Sequence, residues 1–276
     1  VDSYLEEARR RSAEYLYARA RQWSEAAEDG DRLAAREAYD ALRRTEQYFP
    51  DLFRDRQTLL LRARELGTTH IAVALHNETP TLLPAGFERE MLGFNLRDLD
   101  SRWQQYHLQP EPGLEYDYRL DIRLTHIEVS PSLVREREFE QKREIEDGFD
   151  YVLGENGNVM KDSLGNDIKV PRKITIRARV LETYQHKAGR VHARIEVIDT
   201  HNRRLIDSRP VTAEAIFENR AGAFRGDERA LDKEARRLIR QQPLSFPTDA
   251  DLLFDAAAHL RPELKRTIDR LGRLMG

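Results

Sequence analysis

Lys173-Ile-Thr-Ile-Arg-Ala-Arg-Val180, Val191-His-Ala-Arg-Ile-Glu-Val197 and Val211-Thr-Ala-Glu-Ala-Ile-Phe217 decide how this chain reads. In the first, Ile174, Ile176, Ala178 and Val180 share one parity. Val191, Ala193, Ile195 and Val197 do so in the second, and Val211, Ala213, Ala215 and Phe217 in the third. A period of two is the signature of a strand that buries one face and wets the other. Turns are expected at Lys187-Ala-Gly189 and Asp199 to Arg203, with a short strand from Leu205 to Ser208 between the second and third segments. A one-faced sheet needs a cover, and helical sequence flanks it on both sides. The fold class expected is therefore α+β: a central mixed, largely antiparallel sheet packed by helices, with an amino-terminal helical hairpin and carboxy-terminal helices.

Residues 1–66 read as a helical region. Leu5, Ala8, Tyr15, Leu16, Ala20 and Trp23 are followed by Leu33, Ala34, Ala38, Ala41 and Leu42, then by Phe53, Leu60 and Ala63. Glu28-Asp-Gly-Asp31 separates the first two runs, and Tyr48-Phe-Pro50 ends the second. Trp23, Ala35, Tyr39 and Leu42 give this region the look of a single tetratricopeptide-type helix pair with no second copy. A lone pair cannot bury its own face and must lie on the rest of the chain or on a partner. Residues 67–276 form the sheet region, opened by the strand His70-Ile-Ala-Val-Ala-Leu-His76, whose small Ala72 and Ala74 face suits an overlying helix. Phe87 to Tyr106 has helical spacing, with Phe87, Met91, Phe94, Leu99 and Trp103 toward the core, and Gln109-Pro-Glu-Pro-Gly113 is a linker. Tyr116, Tyr118, Leu120, Ile122 and Leu124 then alternate until parity switches at Ile127 and Val129. A β-bulge near Thr125 or His126 is the simplest repair.

Residues 130–171 read as an insertion in the sheet. Arg135 to Glu146 is almost continuously charged, and its two large apolar residues, Phe139 and Ile145, sit six apart, which fits an extended strand. Glu155-Asn-Gly-Asn158 and Leu164-Gly-Asn-Asp167 are turn sequences, so Tyr151 to Val170 is expected to form small projecting hairpins. Phe139, Phe149 and Tyr151 are the candidate partner-binding residues, because a charged, turn-rich insertion has little core to put them in. The alternative is that they pin the insertion to its own sheet. After the sheet, Asn219 to Gly226 reads as a loop and Glu228 to Arg240 as a helix. The last two helices, Asp249 to His259 and Pro262 to Leu274, complete a helical tail over 228–274.

Charged residues make up 34 % of the 276 residues and the net charge is −3, so nothing overall attracts nucleic acid, and none is expected as a partner. Cysteine is absent, which excludes disulfides, thiolate catalysis and cysteine-held zinc. Of the eight histidines, His70 and His76 stand roughly 20 Å apart on one strand and cannot share an ion. His192 and Glu196 are likewise too distant from each other. His126, at the expected bulge, is the most interesting single histidine, though sheet irregularity alone accounts for it. No nucleophile elbow, phosphate loop or dinucleotide fingerprint occurs, and Asp162-Ser-Leu-Gly-Asn-Asp167 fits turn chemistry better than a calcium loop. The expectation is no cofactor, no metal and no catalytic residue.

The segments His70 to His76, Tyr116-Asp-Tyr-Arg-Leu120, Ala193-Arg-Ile-Glu-Val-Ile-Asp-Thr200 and Arg204-Leu-Ile-Asp-Ser208 resemble the sheet of a broad bacterial group. It comprises the curli secretion lipoprotein, the amino-terminal domain of the Tol-system β-propeller protein and lipoprotein activators of peptidoglycan synthases. Asp147-Gly-Phe-Asp-Tyr-Val-Leu153 and Gly226-Asp-Glu-Arg-Ala230 add a likeness to Bacteroidota-type envelope lipoproteins. The resemblance implies a non-enzymatic protein at the periplasmic face of the outer membrane that binds or organises envelope proteins. Its lipid anchor would lie outside this sequence, which begins at Val1 as a mature or trimmed chain would. The transmembrane strands of the curli pore have no counterpart here. Two other readings compete: a hydrolase or carbohydrate-acting enzyme using loop carboxylates, and a module that binds a small ligand in the sheet-helix cleft.

Overall fold

The computed structural model describes residues 2–49, 52–109 and 111–275. It is an α+β fold with a central mixed, mostly antiparallel sheet flanked by amino- and carboxy-terminal helices. The helices are α1 (Asp2–Glu28), α2 (Arg32–Tyr48), α3 (Arg56–Gly67), α4 (Phe87–Met91), α5 (Lys233–Leu238) and α6 (Asp249–Gly272). The strands are β1 (Thr69–Asn77), β2 (Gln104–His107), β3 (Tyr118–Val129), β4 (Leu133–Tyr151), β5 (Lys169–Asp199) and β6 (Leu205–Gly226). The sheet order is β2-β1-β3-β5-β4, with β6 also paired to β5. Among the described residues no helix is long and apolar enough to cross a membrane.

The chain forms two compact units. The first comprises residues 1–127, 191–213 and 257–276; the second comprises 128–190 and 214–256. In the first, β1 lies parallel to both β2 and β3. The expected alternation holds: Ile71, Val73, Leu120, Ile122, Leu124 and the odd residues Val191 to Val197 are all buried. Thr125 and His126 are both exposed between buried Leu124 and Ile127, which is the parity switch read in the sequence. Asp31 accepts from the Ala34 amide at the start of α2. The helical region is fastened to its unit from α2, where Arg32 pairs with Asp117 and Arg36 donates to the Gly67 carbonyl (2.9 Å) and the Thr69 hydroxyl (3.0 Å). Phe49 caps α2 in an extended conformation, while Pro50 and Pro110, read as a helix stop and a linker residue, lie outside the described residues.

In the second unit, β4 and β5 pair antiparallel from Leu133↔His186 to Tyr151↔Lys169. The charged run Arg135 to Glu146 is thus extended, as its two apolar residues required. Ile176, Ala178 and Val180 form a core with Ala230, Leu231 and Ala235, so the short α5 and the preceding turn act as lid to this ribbon. Buried Gln185 and Lys187 interrupt the apolar pattern because they hold the segment after α5. Gln185 exchanges hydrogen bonds with the backbone of Leu244 (2.8 and 2.9 Å), and Lys187 donates to the Pro247 carbonyl (2.8 Å).

Five sequence expectations are corrected. Lys187-Ala-Gly189 is not a turn, because β5 runs straight through it. Gly189 is there for close approach: a Cβ would stand 3.1 Å from both the Cβ and the carbonyl oxygen of Leu252. Asn219 to Gly226 is not a loop but the end of one strand, β6, that starts at Leu205; Asn219 bonds sideways to Gln185 (2.9 Å). Glu228 to Arg240 is not one helix, since Asp227 and Asp232 each cap a separate short turn. The last two helices are one, α6, with Pro262 inside it. An internal proline costs about 3 kcal/mol, less than the burial, worth about 1.5–3 kcal/mol each, of Leu260, Leu264, Ile268 and Leu271 along the same helix. Finally, Phe87 to Tyr106 holds only the short α4, a 3₁₀ turn at Leu96–Asp98 capped by Asn95, and then strand β2. Phe87, Met91 and Leu99 are buried as expected, whereas Phe94 and Trp103 are half-buried.

Gly189→Ala sets a methyl group 3.1 Å from the Leu252 carbonyl oxygen, closer than such contacts normally stand. Thermal or urea unfolding should show a loss of about 1–3 kcal/mol; an unchanged stability would mean the strand was never closely approached there.

Candidate partner-binding arm

The hairpin of β4 and β5 has two halves of different character. In its proximal half Phe139 pairs with Val180 and Ile145 with Ile174, and both aromatic and aliphatic side chains pack against the core under α5. Phe139 is therefore a packing residue of the ribbon rather than a residue of its tip. Gln141 exchanges hydrogen bonds with Asp232 there (2.7 and 2.8 Å).

The register shifts between Glu146 and Phe149, where Gly148 takes φ +79°, a left-handed conformation that glycine adopts without strain. Arg172 braces this irregularity by donating to the Asp147 carbonyl (3.0 Å). Beyond it no lid follows among the described residues. Phe149 and Tyr151 are 46 % and 44 % exposed, stacked edge to face at 5.3 Å. The Lys169 ammonium lies 4.2 Å from the Phe149 ring centre and 5.5 Å from that of Tyr151. Leu153, Met160, Leu164 and Val170 are exposed at the same end. Small bridges, Leu153↔Val159 and Lys161↔Asp167, build the two expected turns. Asp162 organises the second by accepting from the amides of Leu164 (2.8 Å) and Asn166 (2.9 Å).

An aromatic pair beside a cation, presented on a two-stranded stem, offers apolar area and cation–π contact at the end of the hairpin. The sequence reading named its two aromatic residues and missed Lys169. Pairing the strands on either side of the Gly157 and Gly165 turns would have set Lys169 opposite Tyr151.

The histidines fall elsewhere. His70 reaches His107 rather than His76: the two rings approach at 3.2 Å (Nδ1 to Nε2), and His107 Nδ1 lies 3.0 Å from Glu111. Burial, then the His107 ring, lowers the His70 pKa below its ordinary value. His76 stands 3.5 Å from the wholly buried Asp121, which Arg119 holds at 2.9 Å and Arg123 at 3.1 Å. His126 and His192, at 5.5 Å between ring centres, face each other across neighbouring strands, and Glu196 pairs with Arg123 (2.8 Å) rather than with His192. Among the described residues no three metal-ligating side chains gather around one point. No family model matches the chain, and no curated protein matches it in sequence.

The two backbone bonds and the Asn166 side chain hold the Asp162 carboxyl below its ordinary pKa of 3.8. A depressed folded-state pKa supports the folded turn above the ordinary value and loses that support as pH falls through the depressed one. Asp162→Ala should speed amide exchange at Leu164 and Asn166 at neutral pH, and wild-type protein should lose the same protection only in acid below 3.8. Equal protection in both proteins would remove Asp162 from the turn.

Proposed function

We propose that this is a non-enzymatic protein that docks a partner protein through the tip of the β4–β5 arm. The observation that carries the reading is the exposed Phe149–Tyr151 pair under Lys169, at the end of a stem whose nearer half is covered on one face by α5 and the turn before it. Aromatic residues left uncovered on a stiff support are the usual anchors of an interface, since few of their degrees of freedom remain to be lost on binding. The surrounding Glu146, Asp147, Asp150, Lys161, Asp167 and Arg172 supply a mixed polar rim. As part of the same proposal, the activity belongs in the bacterial envelope, with envelope proteins as partners and an outer-membrane lipid anchor outside the sequence, a reading supported by the resemblance noted above.

A photo-crosslinker introduced at position 151 of the membrane-associated native protein should trap a defined partner. The double variant Phe149→Ala, Tyr151→Ala should weaken that complex by about thirtyfold, or about 2 kcal/mol, while its melting temperature stays at the wild-type value. A complex of undiminished affinity with the double variant would reject the tip as the docking surface.

A further inference from the structure

The first unit contains a second feature that a partner would complete. β1 extends from Thr69 to Asn77 and is paired with β3 up to Asn77↔Leu124, but its pairing with β2 stops at Ala72↔His107. From Val73 to Asn77 one edge of β1 therefore faces no strand among the described residues. The direction of its backbone groups is fixed by the bonds at its start: Thr69 donates to the Trp103 carbonyl on the β2 side (2.8 Å), whereas His70 accepts from the Asp117 amide on the β3 side (2.9 Å). Alternation then turns Leu75 and Asn77 toward the open side.

A cleft of about 700 Å³ occupies that side. Ala72 and Ala74, whose small side chains leave the space, line one wall, and Leu92 and Leu108 make it apolar. The alanine face, expected to lie under a helix, thus opens onto a cleft bordered by residues of the short α4. Its charged lining consists of Glu88, Arg89 and Arg119. Arg119 is held by Asp121, whereas Arg89 is exposed and makes no ion pair among the described residues.

We infer that this cleft takes an extended peptide segment of a partner protein, added as a strand to the open edge of β1. Main-chain bonds to Leu75 and Asn77 would supply affinity, an apolar side chain would fill the space beside Leu92 and Leu108, and an acidic residue would meet Arg89. A strand of this kind needs unpaired backbone groups and room beside them, and β1 offers both; an open edge elsewhere in the fold, that of β4, is lined instead by alternating charge. This site is separate from the arm tip.

The probe is a library of short random peptides displayed on phage and selected against the full chain. Enriched peptides should alternate apolar and polar residues with an acidic residue near the apolar one, and should slow hydrogen exchange at the Leu75 and Asn77 amides. N-methylation of the bound synthetic peptide at one parity should weaken binding by about tenfold for each hydrogen bond lost and at the other parity should not. Arg89→Glu should weaken it as well, whereas Phe149→Ala, Tyr151→Ala should leave it unchanged. No enriched peptide, an N-methyl scan without alternation, or protection elsewhere in the chain would overturn the inference. So would protection of Leu75 that appears without peptide and grows with protein concentration, because a second copy would then be the occupant.

Discussion

A strand of 31 residues stays whole only if every stretch of it finds a cover for its apolar side, and β5 meets that requirement differently along its length. Even-numbered Ile176 to Val180 lie under Ala230, Leu231 and Ala235; odd-numbered Val191 to Val197 are buried in the other unit. Between them the pattern breaks at Gln185 and Lys187, two polar residues that would weaken an isolated strand and are here satisfied by backbone carbonyls of an extended segment. The parity change is thereby made affordable without a turn, and both units keep a common strand.

That break is also where the sequence is hardest to read. The alternating segments were legible because period two and one-sided burial have the same cause, and the charged run of β4 was legible because Phe139 and Ile145 keep strand spacing. Gly189 misled, since a glycine needed for close approach by Leu252 looks the same as one needed for a turn. Pro262 misled for a related reason: local preference favours a stop, and only tertiary burial beyond it keeps α6 continuous. β2 was invisible because Gln104-Gln-Tyr-His107 holds one large apolar residue, Tyr106, which is no alternation at all. Losing β2 hid the parallel pairing, the His70–His107 contact and the open edge of β1.

Of the three aromatic residues singled out, the fold separates one from two by where cover ends. Phe139 lies before the Gly148 irregularity and is packed; Phe149 and Tyr151 lie after it and are nearly half exposed. Composition could mark all three as unusual, but the position of the lid depends on α5, a six-residue helix fixed by its Asp232 cap and by Gln141 of β4. The polar face of β1 and β3 shows a similar limit. Asp121 is completely buried although its parity is that of the wetted side, because Arg119 and Arg123 close over it.

The alternating charges of β4 carry a consequence for the protein in crowded surroundings. Its outer margin is a long row of backbone groups with no neighbouring strand among the described residues, the geometry on which fibrous stacking starts. Arg135, Glu136, Arg137 and Glu138 guard that margin by hydration and by the mismatch of like charges in every second register. Ions shorten the range of this defence to about 8 Å at physiological strength. The arm is therefore kept single at close quarters by contact-range charge and its attendant water, and concentrated brine is the medium in which that protection is thinnest.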